Sequence, residues 1–276
     1  MRTNHFKEVL LGSVMRVKTG ISGLDELMGG GIPAGSCVLV SGKVGTGKSI
    51  FAMQYILKGI ADHGEPGVLV SLERDKQGLY DYASKFGWQF QRLENEGSLR
   101  ILGGPISNVV TEMKKAKAKI GELLSEIVKT VKGSGSKRVV LERVDLLSMF
   151  FPEERDFKIQ LDNLRDRLAK LNCTSIATSE IREGREELSR GGAEQILDGA
   201  IVLYYNSEGL EGDRALEIRK MRGIGHSNRL HLFNITDNGI VIQNLPGKRK
   251  PKLPSEIERA IEPAISLSAL RRSIIG

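Results

Sequence analysis

Short apolar runs alternate with longer amphipathic stretches from about residue 37 to residue 205. The runs at 37–40, 67–73, 99–102, 138–142, 174–179 and 200–205 are brief and rich in β-branched residues, as strands buried on both faces are. Between them the apolar positions fall at helical spacing. A helix is predicted over 50–57, another over 80–86 closed by Gly87, and a long amphipathic one over 109–131. Gly133, Ser134, Gly135 and Ser136 then read as a flexible turn, and Phe157, Leu161, Leu164 and Leu168 mark one face of a helix over 153–171. This alternation predicts an α/β fold, a mostly parallel twisted sheet flanked by helices. Past residue 205 the style changes. Short strands at 215–220, 230–235 and 240–242, the last after the turn Asp237-Asn-Gly239, predict antiparallel strands extending the sheet's edge.

Residues 42 to 49 read Gly-Lys-Val-Gly-Thr-Gly-Lys-Ser, the complete G-x-x-x-x-G-K-[ST] pattern of a phosphate loop, set between a predicted strand and a predicted helix. Glycines at 42, 45 and 47 let the backbone curl so that successive N–H groups point at phosphate oxygens, and the helix N-terminus adds its partial positive charge. Gly42, Lys43, Val44, Gly45, Thr46, Gly47, Lys48, Ser49 and Ile50 are therefore the candidate nucleotide contacts. Lys48 is expected to reach the β- and γ-phosphates, and the Ser49 hydroxyl to ligate Mg²⁺. ATP and Mg²⁺ are the implied ligands.

Composition changes this picture little. The 276 residues are 40% hydrophobic and 27% charged, enough for one full α/β core, and no apolar run is long enough to span a bilayer. The start of the chain lacks an apolar stretch of signal-peptide length. Cys37 and Cys173 have no C-x-x-C spacing and read as buried free thiols, which fits a reducing cytoplasm. The net charge of +7 is partly concentrated in Lys248, Arg249, Lys250 and Lys252, a run that reads as a solvated tail able to touch an acidic partner or nucleic acid.

Turning a phosphate loop into an ATPase needs a metal-side carboxylate, a group that orients water, and compensation for transition-state charge. Glu142 closes the 138–142 run and is the candidate on the metal side, with Asp145 just past the strand end as the fallback. Glu73 closes the run after the loop helix and is the candidate base. Arg74 follows it directly.

Taken with these, Thr19-Gly-Ile-Ser-Gly-Leu-Asp-Glu26 followed by Gly29-Gly-Gly-Ile-Pro-Ala-Gly35 resembles the opening motif of the KaiC-like branch of the RecA superfamily. Ser71-Leu-Glu73, Phe86-Gly-Trp88, Ser179-Glu180, Asp198-Gly-Ala-Ile-Val-Leu203, Lys220-Met-Arg-Gly223 and His226 carry the likeness further, over about residues 14 to 243. The resemblance implies a RecA-like core at 14–245, between an N-terminal extension at 1–13 and a basic C-terminal tail at 246–276. It implies a homo-oligomer, often a hexameric ring, with ATP between subunits. It also implies that Lys220 and Arg222 project into the neighbour's site and touch its γ-phosphate, where a cation supplied in trans neutralises charge as the phosphoryl group departs. Clock proteins of this family carry two such domains, where one is found here.

Three departures from the family pattern bear on catalysis. Arg74 stands where a second glutamate is frequent, the metal-side Asp has become Glu142, and Glu194 and Gln195 stand where clock members phosphorylate hydroxyls. Arg74 is expected to tie up Glu73 and slow water activation. The leading reading is an ATP phosphohydrolase with slow turnover that regulates or moves a protein partner. Beside it stand a non-hydrolysing nucleotide sensor and a recombinase-like DNA-binding ATPase, the latter without any DNA-binding module recognisable in the sequence.

Overall fold

The computed structural model describes residues 14–109, 115–181, 187–205 and 214–243. The N-terminal extension and the basic tail lie outside these residues. Strands β1 (Arg16–Val17) and β2 (Ile32–Pro33) form a small antiparallel pair around the short helix α1 (Leu24–Leu27). The main sheet is built from β3 (Cys37–Gly42), β4 (Gly67–Ser71), β5 (Leu99–Gly103), β6 (Arg138–Glu142), β7 (Thr174–Glu180), β8 (Gly199–Tyr205), β9 (Arg214–Met221), β10 (Leu230–Thr236) and β11 (Gly239–Ile242). Its order is β11-β10-β9-β8-β3-β7-β6-β4-β5. Pairings from β8 through β5 are parallel and those from β8 out to β11 antiparallel, as the change of pattern after residue 205 predicts.

The central strands are continuous apolar runs because helices cover both faces. Side chains alternate across a strand, so Val38 and Val40 of β3 enter one core while Cys37 and Leu39 enter the other. The first core is closed by α2 (Lys48–His63) through Phe51, Met53, Tyr55 and Ile56, all nearly fully buried. Two short helices, α3 (Lys76–Ser84) and α4 (Phe90–Asn95), add Leu79, Ala83 and Phe90 to it. The opposite core is closed by two longer helices. After a one-turn helix α5 (Ile106–Val109), α6 (Ala116–Ser134) supplies Ile120, Leu124, Ile127 and Val131. Helix α7 (Glu154–Lys170) supplies Phe157, Leu161, Leu164 and Leu168, the face the spacing predicts. A last short helix, α8 (Ala193–Ile196), precedes β8.

Several boundaries differ from the sequence reading for local reasons. Helix α3 starts four residues earlier than predicted because the Asp75 carboxylate accepts the Gly78 N–H at 2.8 Å, an N-cap ahead of the first apolar residue. The predicted turn at 133–136 is narrower than expected. Helix α6 runs through Gly133 to Ser134, and Gly135, at φ 64°, caps it with its N–H on the Val131 carbonyl. Helix α4 escapes the periodicity because its six residues make under two turns, and the 3₁₀ segment Val144–Phe150 because its period is 3.0 rather than 3.6 residues.

The antiparallel extension is pinned to α2 by one buried amide. Gln54 accepts the Ile240 N–H at 2.6 Å and donates to the Ile240 carbonyl at 3.1 Å. Gln54→Leu would strand both backbone groups away from water, and each such loss costs about 1–3 kcal/mol. A destabilisation of about 2–3 kcal/mol is expected, lowering the thermal midpoint by roughly 4–10 °C in a scan against the parent chain. An unchanged midpoint would show that the hairpin is held without this amide.

Candidate nucleotide site

Strand β3 sits between β8 and β7, where the chain order of the sheet reverses, and its carboxyl end opens into the loop 42–49. Gly42 is required by close approach: a Cβ there would meet the Leu203 carbonyl oxygen at 2.5 Å and Thr46 Oγ1 at 2.6 Å. Gly45 and Gly47 have φ of 79° and 103°, and Gly47 caps α2, so the loop curls directly into the helix N-terminus. Thr46 is buried and its hydroxyl donates to the Lys43 carbonyl at 2.9 Å, fixing the curl from inside. Val44 lies on the outside of the loop, 74% exposed. Ser49 stands half-buried on the first turn of α2, and Ile50 is buried behind it.

Lys48 folds back into its own loop. Its Nζ donates to the Gly42 and Lys43 carbonyls, both at 2.8 Å. Burial draws its pKa below the ordinary lysine value; Glu180 opposes this most strongly, Arg143 adds to it, and Asp145 and Glu73 oppose it weakly. Those four charged groups therefore lie within electrostatic reach of the ammonium.

Sheet register explains their convergence. Gly42 is paired with Glu180 and Ser71 with Glu142, so the ends of β3, β4, β6 and β7 deliver carboxylates to one edge. The Glu142 side chain is only 2% exposed and both its oxygens are taken. Ser71 Oγ donates to Oε2 at 3.0 Å, and Arg74 Nη1 to Oε1 at 3.1 Å. The Arg74 guanidinium also lies 4.8 Å from the centre of the Tyr82 ring. Arg74 thus binds Glu142, and the expectation that it ties up Glu73 is corrected. The reason is the pairing of β4 with β6, which brings Glu142 beside the Ser71 turn. Glu73 is 40% exposed and faces a different cation, Arg143, at 3.8 Å.

Arg143 and Glu180 are the members of the site that sequence reasoning left out. Arg143 Nη1 meets Glu180 at 3.0 Å, and its Nε and Nη2 hold Asp145 at 3.1 Å each. Asp145, the fallback metal-side acid, is thereby engaged as well. Among the described residues no group of three or more His, Cys, Asp or Glu side chains is arranged to hold a metal ion. The glycine cradle and the Ser49 hydroxyl fit a nucleotide that brings its own cation, because Mg²⁺ is commonly held by phosphates, water and one or two protein oxygens.

Lys220 and Arg222 lie elsewhere. Lys220 pairs with Ala200 near the start of β8, whereas the loop residue Gly42 pairs with Leu203 nearer its end. The Lys220 ammonium donates to the carbonyls of Glu194 at 3.0 Å and Leu197 at 2.6 Å. Arg222 is half exposed and reaches the Gln195 and Ile196 carbonyls at 3.4 Å and Asp198 at 3.5 Å. Both cations stand at the amino-terminal end of the parallel sheet, away from their own chain's loop. Among the described residues no helix is long and apolar enough to cross a membrane.

Comparison with known proteins places this arrangement. The family model described as "ATPase: KaiC" matches residues 17–247. A UPF0273 protein of Methanocaldococcus jannaschii is 36% identical over 233 residues, which are 82% of this chain and 96% of that protein. The circadian clock oscillator protein KaiC of Synechococcus elongatus is 31% identical over 89% of this chain but only 47% of its own length. The crystal structure of a KaiC-like protein from Pyrococcus horikoshii superposes with a TM-score of 0.71 at 38% identity, covering 83% of this chain and 99% of that one.

Proposed function

This chain belongs to the KaiC family of ATPases, and we propose that it binds ATP with Mg²⁺ and hydrolyses it slowly at the interfaces of a ring of identical subunits. The observation that carries the reading is the part-buried Arg74–Glu142 pair, at the same carboxyl edge of the sheet as a whole phosphate loop. The curled loop and its lysine support the nucleotide-binding part of this reading, and the engagement of Glu142, the candidate metal-side carboxylate, by a cation supports slow turnover. Lys48 and the loop N–H groups would hold the phosphates, Ser49 the metal, and Glu73 would orient the attacking water. Steady-state phosphate release measured beside nucleotide affinity tests this. Tight binding with slow, Mg²⁺-dependent release is expected, and absent binding would overturn it. The same ion pair favours a second reading, a nucleotide sensor without turnover, which binding with no release above background would select. A regulatory role acting on a protein partner, with a hexamer as the working assembly, completes the proposal.

The position of Lys220 and Arg222 at the far end of β8 supports sites shared between subunits, because neither can serve the loop of its own chain. Lys220→Ala or Arg222→Ala is expected to lower turnover at least tenfold with little change in nucleotide affinity, since a trans cation acts on transition-state charge. Mixing either variant with Lys48→Ala should restore part of the activity, as some interfaces then join an intact loop to an intact finger. A chain that stays monomeric at micromolar concentration with ATP and Mg²⁺ would refute shared sites.

A further inference from the structure

Arg143 has a backbone conformation that arginine rarely adopts. Its φ of 62° and ψ of 48° put it in the left-handed region, where the only other non-glycine among the described residues is Asn172. The turn is held by the Arg143 N–H on Thr178 Oγ1 at 2.9 Å. Its effect is to send consecutive side chains of one strand end to different partners. Glu142 goes to Arg74, while Arg143 goes toward the end of β7 and Glu180, whose register partner is the first residue of the phosphate loop. There the Arg143 side chain is about four-fifths buried and its guanidinium faces Asp145, Glu180 and Glu73. Two of these contacts differ in kind from the third. Asp145 holds Nε and Nη2 side by side, whereas Glu180 and Glu73 share the remaining Nη1, Glu73 at only 3.8 Å.

Non-glycine residues held in the left-handed region cluster at ligand clamps and switch sites. An arginine that reads an anion also needs carboxylates to neutralise it while the anion is absent, and Arg143 has them in Glu180 and Glu73. We propose that Arg143 is a cation in cis that reads the γ-phosphate. With a nucleoside triphosphate in the loop, Nη1 exchanges Glu180 and Glu73 for the terminal phosphate, while Asp145 keeps the rest of the guanidinium in place. A diphosphate presents no such group, so Arg143 stays on its carboxylates. The exchange also frees Glu73 only when there is a γ-phosphate to attack. This inference rests on the reading of the loop as an ATP site.

The test measures affinity for ADP and for a non-hydrolysable ATP analogue, with Mg²⁺, by calorimetry on the full chain. Arg143→Asn removes the charge while keeping a residue that tolerates the left-handed turn. It is expected to weaken the triphosphate at least tenfold and ADP less than threefold. Glu180→Gln, which loosens Arg143, is expected to widen the preference for triphosphate over ADP severalfold. Equal weakening of both nucleotides by Arg143→Asn, or no weakening, would overturn the proposal and leave Arg143 as a counter-ion for the carboxylates. Should Arg143→Asn fail to fold, an unchanged preference in Glu180→Gln overturns it instead. A parent chain that binds neither nucleotide removes the ATP site itself, whereas binding of both with an unchanged ratio removes only the role given to Arg143.

Discussion

Lys48→Ala is expected to lower ATP affinity by about 10²–10³-fold while leaving the thermal midpoint within a few degrees of the parent. Removing one partner from a buried, hydrogen-bonded charge pair costs about 2–5 kcal/mol, and each 1.4 kcal/mol is a factor of ten in affinity. The fold should survive because, among the described residues, the Lys48 ammonium hydrogen-bonds only to the Gly42 and Lys43 carbonyls of its own loop, and its side chain enters neither core. Those two contacts also describe what binding must do, since the ammonium has to leave both carbonyls to meet a phosphate. Its burial favours that exchange, as a partly desolvated cation gains more from a nearby anion than a hydrated one does. Calorimetric titration of ATP into the folded variant decides the matter. Undiminished affinity would mean that nucleotide, if bound, is bound elsewhere.

The phosphate loop was legible in the sequence because everything that specifies it is local. Glycines at fixed spacing, a strand before and a helix after are enough, and Gly42, Gly45 and Gly47 do what the pattern requires. The parallel core was legible too, since strands covered on both faces must be apolar throughout. The partner of Arg74 was not, because adjacency in sequence suggested Glu73 while the β4–β6 register delivers Glu142. Arg143 was invisible for a related reason. Its importance depends on a left-handed turn and on the end of β7, and neither is written near residue 143. A strand-end pair of opposite charges, Glu142-Arg143, was the available signal. The basic run at 248–252 lies outside the described residues, so the solvated-tail reading stands as an expectation.

Two of the three departures from the family pattern, Arg74 and Glu142, form one unit in the structure, and that makes their joint behaviour predictable. Glu142 is a methylene longer than the aspartate expected at its place, and its carboxylate meets the arginine that replaces a second glutamate. Arg74→Glu alone would therefore set a second carboxylate against one that is 98% buried, rather than release Glu73. Breaking a buried pair in this way costs about 3–5 kcal/mol, and the 29% exposure of Arg74 reduces that to about 2–4 kcal/mol. Glu142→Asp alone shortens the reach to Arg74 and should cost less. The double variant Arg74→Glu/Glu142→Asp removes the ion pair and shortens the acid at the strand end. With Mg²⁺ and ATP present it is expected to recover part of the lost stability and to raise turnover about 10–100-fold over the parent. A thermodynamic cycle over the four proteins reads the coupling, which should exceed about 1 kcal/mol for residues in direct contact. Additive stabilities would show that the two positions act independently. A double variant that couples in stability yet hydrolyses no faster than the parent would place the brake on turnover elsewhere in the site, with Arg143 and its hold on Glu73 the next group to change.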